Sequence, residues 1–212
     1  MRTNFVVGLI AFILTVAAQA GRSQSVLYDN GPAYIKLPLY YDTASYTVAD
    51  SFTLTTNATI TGANFGIDVD SGATLVTVIW LINSSAIGGI SYEGDITRPV
   101  GTYLQTRGAN DIYSENISIP GLTLPAGTYW FQLQNAVTSD GGKAGWARSS
   151  SPNALTSAVE NGVVATYTES FQITGELLPE PSSYALTALG GASLLFFRSR
   201  KLTSKPSTIN QA

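Results

Sequence analysis

The chain has 212 residues, 44% hydrophobic and 12% charged, with no Cys and no His. Without Cys there are no disulfides, thiolate nucleophiles or Cys-ligated metals, and without His there is no imidazole triad or imidazole-bound metal. Residues 21–180 hold six Lys/Arg against fourteen Asp/Glu, a net of −8, so the basic footprint that nucleic-acid binding needs is missing.

The first element in chain order is an export signal. Arg2 supplies a positive start, residues 5–18 are an apolar run, and Ala18-Gln19-Ala20 is a small-x-small cleavage site. This layout predicts a secretory signal peptide over 1–20 and a mature chain from Gly21. The alternative is an uncleaved anchor.

Residues 21–176 read as one β domain. Turn residues recur every 8 to 12 positions, with strand formers between them. Tyr46, Val48, Phe52 and Leu54 alternate with polar neighbours, as a half-buried strand requires. Across residues 57–67 the apolar parity switches near Gly62: Ile60 lies on one parity, Phe65 and Ile67 on the other. A β-bulge would reconcile them. Residues 75–82 are apolar on both parities and predict a central strand. Tyr113, Ile117 and Ile119 share a face of a strand expected to end at Pro120. Pro125-Ala126-Gly127 predicts a turn before Tyr129, Phe131 and Leu133, and Tyr167, Phe171 and Ile173 give a last strand. Eight or nine such strands predict an antiparallel β-sandwich, most simply a jelly roll.

The last element has three parts. Pro179-Glu180-Pro181 comes first, then an uncharged apolar stretch, then Arg198-Ser199-Arg200-Lys201. Residues 182–197 would span ~24 Å as a helix at ~1.5 Å per residue, short of a ~30 Å hydrocarbon core. Tyr184 at one interface and snorkelling Arg198, Arg200 and Lys201 at the other make up the difference. The two prolines keep the chain extended outside the membrane, and Glu180 places a charge there. The basic cluster stays cytoplasmic. The alternative is a single-pass anchor that is never processed.

Several motifs carry residue types that suit a binding or catalytic site. Asp68-Val69-Asp70-Ser71-Gly72 carries two carboxylates before a Gly turn, a fragment of a Ca²⁺ loop without its distal ligands; a hairpin tip accounts for it equally. Asp29 and Asn30 could add oxygens or simply form a turn. Glu93 and Asp95 could be a glycosidase pair only at a suitable separation. Trp130 and Trp146 are the candidate sugar-stacking aromatics, whereas Trp80 belongs to a doubly apolar strand and reads as core. Sequons at Asn57, Asn83 and Asn116 read as incidental.

The C-terminal order of Pro-Glu-Pro, apolar run and Arg-rich stop resembles the PEP-CTERM sorting signal of bacterial surface and secreted proteins, over about 23 residues of the chain. The resemblance implies recognition by an exosortase, a membrane-embedded cysteine protease or transpeptidase. The body also looks like the β-sandwich domains often found ahead of such signals, through Asp29-Asn30-Gly31-Pro32, Val48-Ala49-Asp50-Ser51-Phe52, Ile60-Thr61-Gly62, Leu124-Pro125-Ala126-Gly127-Thr128-Tyr129-Trp130 and Gly145-Trp146. This second likeness speaks to fold and not to activity.

The whole expectation is an all-β, jelly-roll-like sandwich flanked by an N-terminal signal helix and a C-terminal transmembrane helix. The segments are a signal peptide at 1–20, an exported domain at 21–176, a sorting signal at 177–201 and a cytoplasmic tail at 202–212. Its partners are an exosortase, the export machinery and, through 182–197, the membrane; its role at the surface or in the matrix is non-catalytic and needs no cofactor. A lectin-like module for exopolysaccharide is the alternative, and a hydrolase working through carboxylates alone is the third reading.

Overall fold

The computed structural model describes residues 24–33, 41–149, 158–165 and 167–178. The expected signal segment with Ala18 and Ala20 lies outside the described residues. So do Pro179, Glu180, Pro181, the run 182–197, Arg198, Arg200, Lys201 and the tail. The chain divides by compactness after Leu177. Among the described residues no helix is long and apolar enough to cross a membrane.

The described residues are all-β. The strands are β1 (Ser25–Asp29), β2 (Tyr41–Asp42), β3 (Val48–Leu54), β4 (Ala58–Asp70), β5 (Leu75–Asn83), β6 (Ser91–Thr97) and β7 (Val100–Arg107). There follow β8 (Asn110–Leu124), β9 (Gly127–Thr138), β10 (Ala144–Trp146), β11 (Val159–Glu160), β12 (Val163–Val164) and β13 (Phe171–Leu177). They form two antiparallel sheets over a shared apolar core, consistent with a β-sandwich.

Strand β4 is the spine of the first sheet. Along one edge it pairs with β8 from end to end, and β7 pairs with the far side of β8. Its other edge is shared: β13 takes residues 58–65 and β10 takes 67–69. Beyond these lie β1 and β2. The second sheet runs β12-β11-β3-β9-β5-β6.

The parity switch read from the sequence is present. Register shifts between Ile60 and Gly62 against β8, and β13 shifts its register opposite the same point. Ala58 and Ile60 face inward before the irregularity; Ala63, Phe65, Ile67 and Val69 do so after it, all buried. Every inward apolar residue is therefore kept at the core despite the odd count.

Aromatic rings from both sheets close that core. Phe131 of β9 lies 5.5 Å from Trp146, 5.7 Å from Phe171 and 6.2 Å from Phe65, ring centre to ring centre. Such tilted and edge-on pairs each add about 0.5–1.5 kcal/mol beyond burial.

Four expectations are corrected in detail. Pro120 does not end its strand; β8 runs on to Leu124, with two extra residues at 119–121 bulging out between the pairs Ile60–Leu122 and Gly62–Ser118. The bulge accommodates a residue with no N–H to donate, and Gly121 takes a positive φ of 91° there. Tyr46 precedes β3 and is 45% exposed. Tyr167 precedes β13, and its ring lies under the Arg148 guanidinium at 3.7 Å. Strand β5 is paired on both sides, by β9 and β6, yet its outer face is only half-buried at Ile79 and Leu81; its apolar composition on both parities overstates its burial.

Candidate functional site

The sequence-marked residues fall in three places. Asp68 and Asp70 are the last outward residues of β4, so only Ser71-Gly72 makes the turn. Asp68 Oδ1 accepts a hydrogen bond from Asn110 Nδ2 at 2.6 Å, and burial raises its pKa above the usual carboxylate value. The turn is held by Asp111, which accepts from Gly72 N–H at 2.7 Å and from the Thr106 hydroxyl; these bonds lower its pKa. Asp140 similarly accepts from Thr138 Oγ1 at 2.8 Å and Gly142 N–H at 3.0 Å. Among the described residues no group of three or more acidic side chains could hold a metal ion.

Trp146 is corrected outright as a candidate ligand aromatic. It is fully buried, and its Nε1–H donates to Ser170 O at 3.0 Å. Pairing of β10 with β4 sets Trp146 opposite the inward Ile67, so the ring enters the core. The Gly-rich segment before it suggested exposure, but the register decides. Trp130 is half-buried on the outer face of the second sheet, level with Ser51 and Asn83. Trp80 is core, as expected. Asp95 lies on the edge strand β6, paired with Trp80.

Asp29-Asn30 and Val48-Ala49-Asp50 belong to one buried network, which their separate positions in the sequence do not disclose. Asn30 Nδ2 donates to Asp50 Oδ2 at 3.2 Å, to Thr168 Oγ1 and to Glu169 O. Asp50 Oδ2 also accepts from Thr168 Oγ1 at 2.6 Å and from Glu169 N–H at 2.8 Å, and Asp50 Oδ1 accepts from Ser51 N–H at 2.7 Å. Asp50 and Asn30 are each 1% exposed. The network ties the end of β1, the centre of β3 and the approach to β13 together. Asn30 is therefore a structural tie, and its Oδ1 accepts from the Tyr28 hydroxyl at 3.1 Å. Beside it Glu169 is wholly buried, and its carboxyl oxygens have no hydrogen-bond partner among the described residues. Burial first, then the charge of Asp50, pushes its pKa well up, against the pull of Arg148.

The outer face of the first sheet carries a different arrangement. Three rows cross β13, β4 and β8. Thr174, Gly62 and Ser118 form the first; Gln172, Asn64 and Asn116 the second; Ser170, Gly66 and Ser114 the third. Asn64 Nδ2 donates to Ser114 Oγ at 2.8 Å and to Asn116 Oδ1 at 2.9 Å. Gln172 Nε2 donates to Asp29 Oδ2 at 3.0 Å. The two glycines keep the floor low on both sides of Asn64. A Cβ at Gly66 would meet Ala33 Cβ at 2.8 Å and Ala147 Cβ at 3.0 Å. One at Gly62 would meet Ile117 O at 2.9 Å. A cleft of about 260 Å³ lies over Gly66 and another of about 770 Å³ beside Thr61 and Thr174. Sequence reading missed this face; its only signal was the alternation Gly62, Asn64, Gly66 on one parity of a strand already assigned.

No family model matches the chain, and no curated protein or solved structure is significantly similar to it.

Proposed function

We propose that the chain is an exported, non-catalytic β-sandwich protein of the cell surface or extracellular matrix, tethered briefly by its C-terminal apolar segment and processed near Pro179-Glu180-Pro181 by an exosortase. The observation that carries this reading is the order of the last three parts: a proline-stiffened neck, an uncharged run at 182–197, and Arg198, Arg200 and Lys201. The finer reading of the body is a jelly roll. It is supported by the runs β1-β13-β4-β8 within the seven-stranded sheet and β3-β9-β5-β6 within the six-stranded one, two sets of four strands such as a roll needs.

The test is the intact mass of the protein made in an exosortase-bearing bacterium. The expected product in the medium begins at Gly21 and ends within the Pro-Glu-Pro neck. Glu180→Ala is expected to be exported with its tail still attached and to stay with the membrane fraction. A wild-type chain retained at full length, or normal trimming of the Glu180→Ala variant, overturns the reading.

A further inference from the structure

We propose that the outer face of the first sheet is a binding face for a neutral, hydroxyl-rich polymer, with the chemistry of an uncharged polysaccharide, laid along β4 across both clefts. The inference goes beyond the export reading and does not depend on it, since a purified chain binds or fails to bind wherever it was made.

The chemistry of the rows selects the ligand class. Their side chains are small hydroxyls and amides, groups that donate and accept at once and so match sugar hydroxyls in either sense. Among the described residues the linings of the two clefts contain no Lys or Arg, and Asp29 is the only ionisable group there. Among the described residues phosphate, sulfate and uronate chains would meet one carboxylate and no cation, which disfavours an anionic ligand. Apolar side chains border the rows on both flanks: Val26 is 53% exposed, Val100 73% and Leu104 48%. They lie level with Thr174, Asn116 and the Gly66 cleft respectively, where they can pack on the C–H faces of a sugar ring.

Two further observations point to an occupant. Ser170 is 2% exposed and lines the Gly66 cleft, and its hydroxyl has no hydrogen-bond partner among the described residues. Thr61 Oγ1, which lines the other cleft, is likewise buried without one. Leaving such groups unmade is costly. The clefts also lie in line: Gly62 and Gly66 are four residues apart on one strand, about 13 Å at ~3.3 Å per residue. One small sugar cannot cover both; a chain can.

Affinity gel electrophoresis of the full-length chain in detergent tests this, with gels cast in hydroxyethyl cellulose, in galactomannan and in alginate. The expected result is retardation by at least one of the two neutral polymers and none by alginate. Asn116→Ala, at an exposed position, is expected to weaken retardation about tenfold, the worth of one good hydrogen bond, and Ser118→Trp, which fills the face without touching the core, to abolish it. Val164→Asp, on the edge of the other sheet, should bind as wild type. The proposal is overturned by wild type running unretarded in both neutral gels, by equal retardation in alginate, or by a Ser118→Trp variant with an unchanged melting temperature that binds as before.

Discussion

Two polar regions of this protein are built from similar side chains and do opposite things. The knot of Asn30, Asp50 and Thr168 is closed: its amide, hydroxyl and carboxylate are spent on each other and on backbone groups, and water is kept out. The face of Thr174, Asn116 and Ser118 around Asn64 is open: Asn116 and Ser118 are exposed and hold donors and acceptors toward solvent beside the cleft they line, while Asn64 is bonded to Ser114 and Asn116. The difference teaches that residue type does not separate a structural network from a recognition surface. What separates them is whether each polar group finds its partner inside the fold.

The largest expected effect breaks the closed region. Asp50→Ala removes the acceptor of the Thr168 hydroxyl and of the Glu169 N–H, leaving two buried donors unmade at about 1–3 kcal/mol each, while Asn30 keeps Thr168 Oγ1 and Glu169 O. A loss of about 4 kcal/mol, or failure to fold, is expected from chemical denaturation; a loss below 1 kcal/mol would mean that the knot is wet. Trp146→Ala comes next, at about 3–5 kcal/mol by the cavity it leaves among Phe65, Phe131 and Phe171. It also removes one of two donors to Ser170 O, which the Gly66 N–H still reaches at 3.2 Å. Thermal and denaturant midpoints measure it.

The smallest effect sharpens the contrast within one strand. Ser114 and Asn116 face outward, and Glu115 between them is 2% exposed, its pKa raised by burial to about 7. Between the unfolded value of 4.5 and about 7 the folded chain holds a proton that the unfolded chain has released. The Glu115 contribution to stability is therefore complete below 4.5 and is lost as pH rises toward 7, at up to about 1.4 kcal/mol per pH unit. Glu115→Gln is expected to flatten that part of the stability profile, measured by denaturant titration from pH 4 to 8. A profile as steep as wild type would place the Glu115 carboxyl in water.

Much of the fold was legible because a strand advertises its faces by a period of two. The inward residues of β3 and β9, the break at Gly62 and the turn at Pro125-Ala126-Gly127 all follow from alternation and turn chemistry. Trp146 was misjudged because β10 has only three residues, too few to show a period, and its neighbours are glycines. Pro120 was misjudged because a bulge can absorb a proline that a regular ladder cannot. The open face was invisible for another reason: Gly62, Asn64 and Gly66 look like an ordinary solvated parity until β8 and β13 are placed beside them.

By itself, then, the amino-acid order determined the all-β character, the parity of each long strand and the three-part C-terminal segment, because these depend on neighbours two to four residues apart or on simple composition. The tertiary structure alone decided that Asn30 meets Asp50 across 20 residues and Thr168 across 138, that Trp146 points inward, and that three strands set their hydroxyls and amides level on one face. Such contacts arise from register between distant strands, and register is chosen by the packing of the whole core, which no local window of sequence contains.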